Sequence, residues 1–286
     1  MIISQTPYRV SFAGGGTDLP AFYEHGFGAV LSTAIRCHMY VSIHRRFVPN
    51  IRIAYSKTET ADRVDLIEHE LVRESMRWLA IDEPLEITTI GDAPAGTGLG
   101  SSSTLTVGLL QALAAHRGRV VGAAELADAA CAIEIDRLGK PIGRQDQYAA
   151  AFGGVNYLRF RPGGVVDVEP VPVSAATIAR LEAWSLMLYT NQQRQADDIL
   201  RRQSAGTAGK RRVLEAMRDQ ADVMRHTLAG DGDLEAFAAL LHEGWMLKRS
   251  LGFGITQPLV DQWYERARQA GALGGKLLGA GGGGFL

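Results

Sequence analysis

Cysteine is scarce in this chain of 286 residues: only Cys37 and Cys131 occur, far apart and each in an apolar segment. No CxxC pair and no Cys/His spacing argues for zinc, so two buried, free thiols are expected. The seven histidines form no HExxH pattern. His38 and His44 share one face of an expected strand, which reads as a solvated face rather than a metal site. Charge of one sign is also lacking. Thirty basic and 31 acidic side chains leave a formal net charge of −1, with no basic block. Composition therefore gives no support to nucleic-acid or polyanion binding. No apolar stretch approaches bilayer length. The N-terminal ten residues lack the charged start, apolar run and cleavage site of a signal peptide. These absences lead to the expectation of a soluble cytoplasmic protein without membrane or nucleic-acid partners, the oligomeric state being left open.

What is present is material for a large core. The chain is 46% hydrophobic, enough for one large domain or two modest ones. Met39, Val41 and Ile43 alternate with Tyr40, Ser42 and His44, the period of a half-buried strand. Residues 51–55 and 85–90 are further short β-type runs, and 62–79 has helical spacing between them. Leu105, Leu109 and Leu113 form the apolar stripe of a helix starting near Ser101. A second helix is expected over 123–138, stopped by Gly139 and Pro141. Pro162-Gly163-Gly164 turns a hairpin spanning 155–173, and 185–190 reads as another strand. Helices then follow through Val213–Leu228, Leu234–Trp245 and Pro258–Ala270, with Asp233 as an N-cap. The pattern is α+β, with a boundary between two lobes near 170–185.

The strongest local signal is Pro94-Ala95-Gly96-Thr97-Gly98-Leu99-Gly100-Ser101-Ser102-Ser103, with a helix directly behind it. Glycines let backbone approach a ligand closely. The free N–H groups of the following helix suit phosphate, and the serines can add hydroxyl donors or a metal ligand. No lysine follows the glycines, so this is not a Walker A loop. Counting from Gly96 or from Gly98 puts serine where a dinucleotide fingerprint needs its last glycine. On its own, the segment is also compatible with a loop that merely starts a helix.

Two further glycine-rich segments flank it in the chain: Pro7-Tyr8-Arg9-Val10-Ser11-Phe12-Ala13-Gly14-Gly15-Gly16-Thr17-Asp18, and Lys276-Leu277-Leu278-Gly279-Ala280-Gly281-Gly282-Gly283-Gly284. The three, in this order, resemble the motifs of the GHMP kinases, a group that includes galactokinase, homoserine kinase and mevalonate kinase. The resemblance implies a two-lobed α+β fold: an N-terminal lobe like ribosomal protein S5 domain 2 (residues 1–175) and a ferredoxin-like C-terminal lobe (residues 176–286). It also implies an enzyme that uses ATP and Mg²⁺.

The family pattern then assigns expected roles. Gly96, Thr97, Gly98, Leu99, Gly100, Ser101, Ser102 and Ser103 would bind ATP, and Ser102 with Glu134 would hold Mg²⁺. Ile142-Gly143-Arg144-Gln145-Asp146-Gln147 is similar to the segment that carries the catalytic aspartate, here Asp146, with Arg9 as the basic residue beside it. Gly15, Gly16, Thr17, Asp18, Gly281 and Gly282 would face the substrate, Asp18 as a sugar-hydroxyl ligand. Taken alone, Glu134 could be an exposed helix charge and Asp146 a helix N-cap. Galactokinases have Glu-His where this chain has Gly15-Gly16, which weakens the galactose reading and implies a larger pocket there. The chain also ends at Leu286, directly after the third motif. Family members continue with at least a strand and a helix, so the expectation is an incomplete or differently closed C-terminal lobe.

Residues 11–20 and 143–154 look most like the D-glycero-D-manno-heptose 7-phosphate kinase branch, whose members phosphorylate an anomeric hydroxyl. A sugar phosphate substrate needs a second basic site. Arg194 is the first candidate, with Lys57 and Arg36 behind it. The alternatives are a fucose-type or other anomeric sugar kinase, or a sugar sensor that has lost catalysis on the same scaffold.

Overall fold

The computed structural model describes residues 1–192, 196–230, 232–252 and 254–286. Strand β1 (Ile2–Ala13) leads through helix α1 (Pro20–Tyr23) into the long strand β2 (Gly28–Arg45). Next come β3 (Ile51–Ala54), β4 (Thr58–Ala61), α2 (Glu70–Trp78), β5 (Leu85–Gly91) and α3 (Ser101–His116). Helix α4 (Ala123–Cys131) continues directly as a π-helical stretch over Ala132–Arg137. Helix α5 (Gln145–Phe152) precedes the hairpin of β6 (Val155–Arg161) and β7 (Val165–Pro170). The later regular elements among the described residues are helices: α6 (Ala175–Trp184), α7 (Ala196–Gly206), α8 (Arg211–Ala229), α9 (Leu234–Ser250) and α10 (Pro258–Gln269).

Among the described residues, seven strands form one sheet with the path β4-β3-β5-β2-β6-β7, and β1 pairs with β2 on its other edge. The length of β2 makes this possible. Its first half pairs with β6, from Gly28↔Phe160 to Thr33↔Val155, and its second half with β5, from Met39↔Gly91 to Arg45↔Leu85. Val41 and Ile43 are fully buried with Leu105, Leu109 and Leu113 of α3, so both sequence periods point into one core. Gly108 lets α3 lie close to β1, where the Ser4 hydroxyl donates to its carbonyl at 2.8 Å. A second core joins the sheet to the C-terminal helices, through Leu31 and Tyr157 on one side and Met224, Leu228 and Phe237 on the other. Asp233 caps α9 as expected, accepting from the N–H groups of Glu235 and Ala236.

Four expectations need correction. The helical spacing at 62–79 is split, because a short 3₁₀ turn at Val64–Leu66 precedes α2. The helix expected over 123–138 changes pitch at Ala132. Cys131 is buried but Cys37 only half so, since Cys37 lies where β2 passes from one partner strand to the other. The run 185–190 is not a regular strand. Leu186 and Leu188 are exposed, and its pairing is confined to the chain's last residues. There Leu188 and Leu286 exchange backbone hydrogen bonds of 2.8 and 2.9 Å, and the Thr190 N–H donates to the Gly284 carbonyl at 2.9 Å. Phe285 and Leu286 thus pair with residues 188–190.

Candidate active site

The glycine-rich segments converge. Gly98, Gly100 and Gly279 all have positive φ, between 66° and 83°. A β-carbon on Gly98 would lie 2.6 Å from the Leu278 carbonyl oxygen, and one on Gly279 would lie 2.5 Å from the Gly98 α-carbon. The loop before α3 and the third motif therefore touch backbone to backbone, an approach open only to glycine. The Phe285 N–H donates to the Thr97 carbonyl at 3.2 Å, fixing the same two segments further along.

Beside this junction, Arg9 from β1 forks onto Asp146 from the first turn of α5. Arg9 Nε donates to Asp146 Oδ1 and Nη2 to Oδ2, each at 2.8 Å, while Nη1 donates to the Gly98 carbonyl at 2.6 Å. Arg9 is 3% exposed. One guanidinium thus joins the loop to the carboxylate, in the bidentate geometry that holds such pairs most firmly. Asp146 is no N-cap, since that position belongs to Arg144. Gly100 is needed here as well, because a β-carbon on it would sit 3.1 Å from Asp146 Oδ2.

Glu134 approaches from the π-helical stretch, whose wider turn is frequent at functional sites. It is 1% exposed and accepts from Gln147 Nε2 at 2.8 Å. Burial pushes its carboxyl up from 4.5 to about 7, against the lowering effect of hydrogen bonds from Gln147, Ser103 and Ser102. The result is a cluster of hard oxygen donors at the start of α3. No group of three or more His, Cys, Asp or Glu side chains able to hold a metal occurs among the described residues. A cation at Glu134 and Ser102 would take its remaining oxygens from a bound phosphate and water, which is how Mg²⁺ is commonly held.

Asp18 is buried, with Oδ1 accepting from the Gly16 N–H at 2.9 Å. Its carboxyl is raised, first by burial and then by the nearby Asp146, with the Gly16 bond opposing. A β-carbon on Gly143 would fall 1.8 Å from Asp18 Oδ2, so the loop before α5 can close over this carboxyl only with glycine there.

These groups surround one cavity of about 290 Å³. Of the residues singled out in the sequence, Arg9, Gly15, Gly16, Asp18, Gly96, Gly98, Gly100, Ser101, Ser102, Ser103 and Asp146 line it. Glu134 backs it through the serines. Thr17 instead ties the turn together, its hydroxyl within donating distance of the Gly14 carbonyl at 2.8 Å and the Ala29 carbonyl at 3.0 Å, and accepting from the Ala29 N–H. Thr97 is buried and its hydroxyl donates to the Pro94 carbonyl, while Leu99 packs with Tyr8 and Leu278. Gly281 and Gly282 are held against Ile255, whose carbonyl accepts from the Gly282 N–H at 2.7 Å; the cavity-lining part of the third motif is Gly279-Ala280. Arg36 is engaged by Glu182 on the surface, and Lys57 by Glu68. Arg194 lies outside the described residues.

Other cavity residues were not singled out in the sequence: Ser11, Gln145, Asp197, Leu200, Gln203, Lys248 and Lys276. Lys276 Nζ donates to the carbonyls of Ser11 and Phe12 at 2.6 and 3.1 Å. Burial, followed by the positive neighbours Lys248 and Arg9, holds its ammonium well below the usual lysine range. Lys248 donates to the Gly279 carbonyl. Its signal was present: Lys248 continues the buried stripe Phe237–Leu241–Trp245 at helical spacing, and a cation on a buried stripe is unusual.

Comparison with known proteins places the chain in a family. The model of the GHMP kinases N terminal domain matches residues 65–154, and that of the GHMP kinases C terminal matches 214–286. A D-glycero-alpha-D-manno-heptose 7-phosphate kinase of Campylobacter jejuni is 32% identical over 100% of this chain and 88% of its own length. A crystal structure of a D-glycero-D-manno-heptose 1-phosphate kinase from Bacteroides thetaiotaomicron superposes with a TM-score of 0.82 at 28% identity, covering 100% of this chain and 87% of that one. A sugar kinase structure from Campylobacter jejuni, described as putative in function, gives 0.75 at 26% identity, covering 99% and 86%. The chain belongs to the GHMP kinase family and is a sugar kinase, a phosphotransferase that acts on an alcohol group.

Proposed function

We propose that this enzyme transfers the γ-phosphoryl group of ATP to the anomeric hydroxyl of a sugar phosphate, namely D-glycero-D-manno-heptose 7-phosphate, giving the 1,7-bisphosphate. The observation that carries the reading is the Arg9–Asp146 fork, joined through Gly98 to the glycine loop and opening on the same cavity as Asp18. The heptose assignment draws on the names of the two relatives above and on the sequence resemblance over 11–20 and 143–154.

In this reading Gly96 to Ser103 hold the triphosphate with backbone N–H groups and the start of α3. Asp18 accepts from a sugar hydroxyl. Asp146 receives the proton of the attacking hydroxyl as its oxygen bonds to the γ-phosphorus and the bond to the ADP oxygen breaks. Arg9 keeps Asp146 oriented and places positive charge beside the transferring group. Ser102 and Glu134 are the residues that would hold Mg²⁺, which supplies charge neutralisation on the phosphates when bound. Residues 1–175 carry the ATP site and 176–286 close it from the other side. Arg194, two residues beyond Gln192, is proposed for the substrate's own phosphate.

The test is ADP release with a panel of heptose 7-phosphate, free heptose, galactose and fucose. Heptose 7-phosphate should exceed the others in kcat/KM, and Arg194→Ala should lower that preference by roughly tenfold or more. Equal efficiency on galactose or fucose overturns the heptose assignment.

A further inference from the structure

The absence of a side chain at Gly16 does not leave an empty volume. Helix α7 fills it. Asp197, Leu200 and Gln203, spaced by three along that helix, all line the cavity. Gln203 reaches farthest: a β-carbon on Gly16 would lie 1.9 Å from Gln203 Nε2. Gly16 has a φ of +97°, a conformation that also disfavours any side chain there. The two positions are therefore complementary, bare backbone on one wall and a long amide on the other.

Gln203 is 3% exposed. Its backbone carbonyl accepts from the Thr207 hydroxyl, but among the described residues its side-chain amide makes no hydrogen bond. The amide is not sealed off: it lines the cavity, so its donors and its acceptor are open to a bound ligand. Here Nε2 lies against Gly16, on a cavity that Asp18 and Asp197 also line. A cavity wall that combines a neutral donor–acceptor, carboxylate acceptors and the apolar Leu200 matches the chemistry of a polyhydroxylated carbon chain. Carboxylates accept from hydroxyls, the amide both donates and accepts, and the leucine meets C–H groups.

We propose that Gln203 is a specificity-determining residue of the sugar subsite, hydrogen-bonded to a substrate hydroxyl from the space that Gly16 leaves open. The proposal rests on the sugar-kinase reading of this cavity and adds the side chain that selects among sugars. It predicts that one hydroxyl is read from α7, in addition to the one that Asp18 reads from the loop between β1 and α1.

The experiment is steady-state kinetics on the full chain with Gln203→Leu and Gln203→Glu, using heptose 7-phosphate and a set of its epimers and deoxy analogues. Gln203→Leu keeps the volume and should lower kcat/KM for the sugar by about tenfold to a hundredfold while leaving KM for ATP unchanged, the scale of one lost hydrogen bond in a dry site. One deoxy analogue should lose no further efficiency in the variant, which identifies the hydroxyl. Gln203→Glu keeps the shape and the acceptor, so it should retain more activity than the leucine variant. Equal losses on every sugar and on ATP, or no loss at all in a folded variant, would overturn the proposal alone. A wild-type protein that phosphorylates no sugar and binds none by calorimetry would overturn the sugar reading, and the proposal with it.

Discussion

Gly98 and Gly279 stand back to back, so the loop at the head of α3 and the third glycine-rich motif share one surface without an intervening side chain. Both have positive φ, at 83° and 66°. The contact joins residues separated by most of the chain and closes the cavity on one side.

A methyl group at either position should therefore act on both segments. Gly98→Ala and Gly279→Ala each combine backbone strain with a close approach to backbone atoms that cannot swing away. Each should cost about 1–3 kcal/mol of stability in urea unfolding, and each should weaken ATP binding. Gly118→Ala is the control: it has a similar φ of 70° but nothing within reach of its β-carbon. If the three variants lose equal stability, strain alone accounts for the effect and the junction does not.

Asp146→Asn should reduce turnover by about 10²- to 10⁴-fold, the usual span for a removed proton acceptor, with nucleotide affinity retained. The amide can still accept one Arg9 bond, so the fold should survive. Arg9→Met should be worse for stability, because it leaves a carboxylate with 24% side-chain exposure beside the Gly98 carbonyl with no cation. Fluorescence titration with an ATP analogue and single-turnover phosphate transfer separate the two roles. Near-normal turnover in Asp146→Asn would remove it from the chemistry.

The sequence made some of this legible and hid the rest for physical reasons. Glycine runs advertise backbone approach, so the loop at 96–103 and the first and third motifs were visible. The order of the motifs also pointed to Arg9, Asp146 and Glu134. What could not be read was the far wall. Asp197, Leu200 and Gln203 follow one face of α7, but nothing local says which face meets the cavity at Gly16, which lies far upstream in the chain. The run 185–190 has strand composition and yet no regular strand, because the pairing available to it is only with the chain's last residues. Lys276 was visible as a residue, while its use as a strut to Ser11 and Phe12 depends on tertiary placement.

That strut gives a third expectation. Lys276→Met fills similar volume but leaves the Ser11 and Phe12 carbonyls without their donor, at a cost of about 1–3 kcal/mol. It also removes a titratable amine from beside Arg9 and Lys248. The lysine's folded-state pKa is lowered, so the unfolded chain binds the extra proton. Stability should rise with pH as the alkaline range is approached from below, and the slope should be absent in Lys276→Met. Parallel unfolding curves at increasing pH decide it; an unchanged slope would assign the titration elsewhere.

Glu134 supplies the opposite sign. Its carboxyl is raised from 4.5 to about 7 by burial, so between those values the folded protein holds a proton that the unfolded chain has released. Without divalent cation, its contribution is complete below about pH 4.5 and is lost as pH rises through about 7. A shift of that size corresponds to about 3 kcal/mol. Glu134→Gln should flatten this part of the stability profile, because a neutral amide needs no proton to remain buried. Mg²⁺ with an ATP analogue should compete with the proton, so its apparent affinity should fall as pH drops below about 7, and binding near neutrality should release a proton. Calorimetry in two buffers of different ionisation enthalpy measures that release directly. The same proton release in Glu134→Gln as in the wild type would mean that another group, and not Glu134, exchanges its proton for the cation.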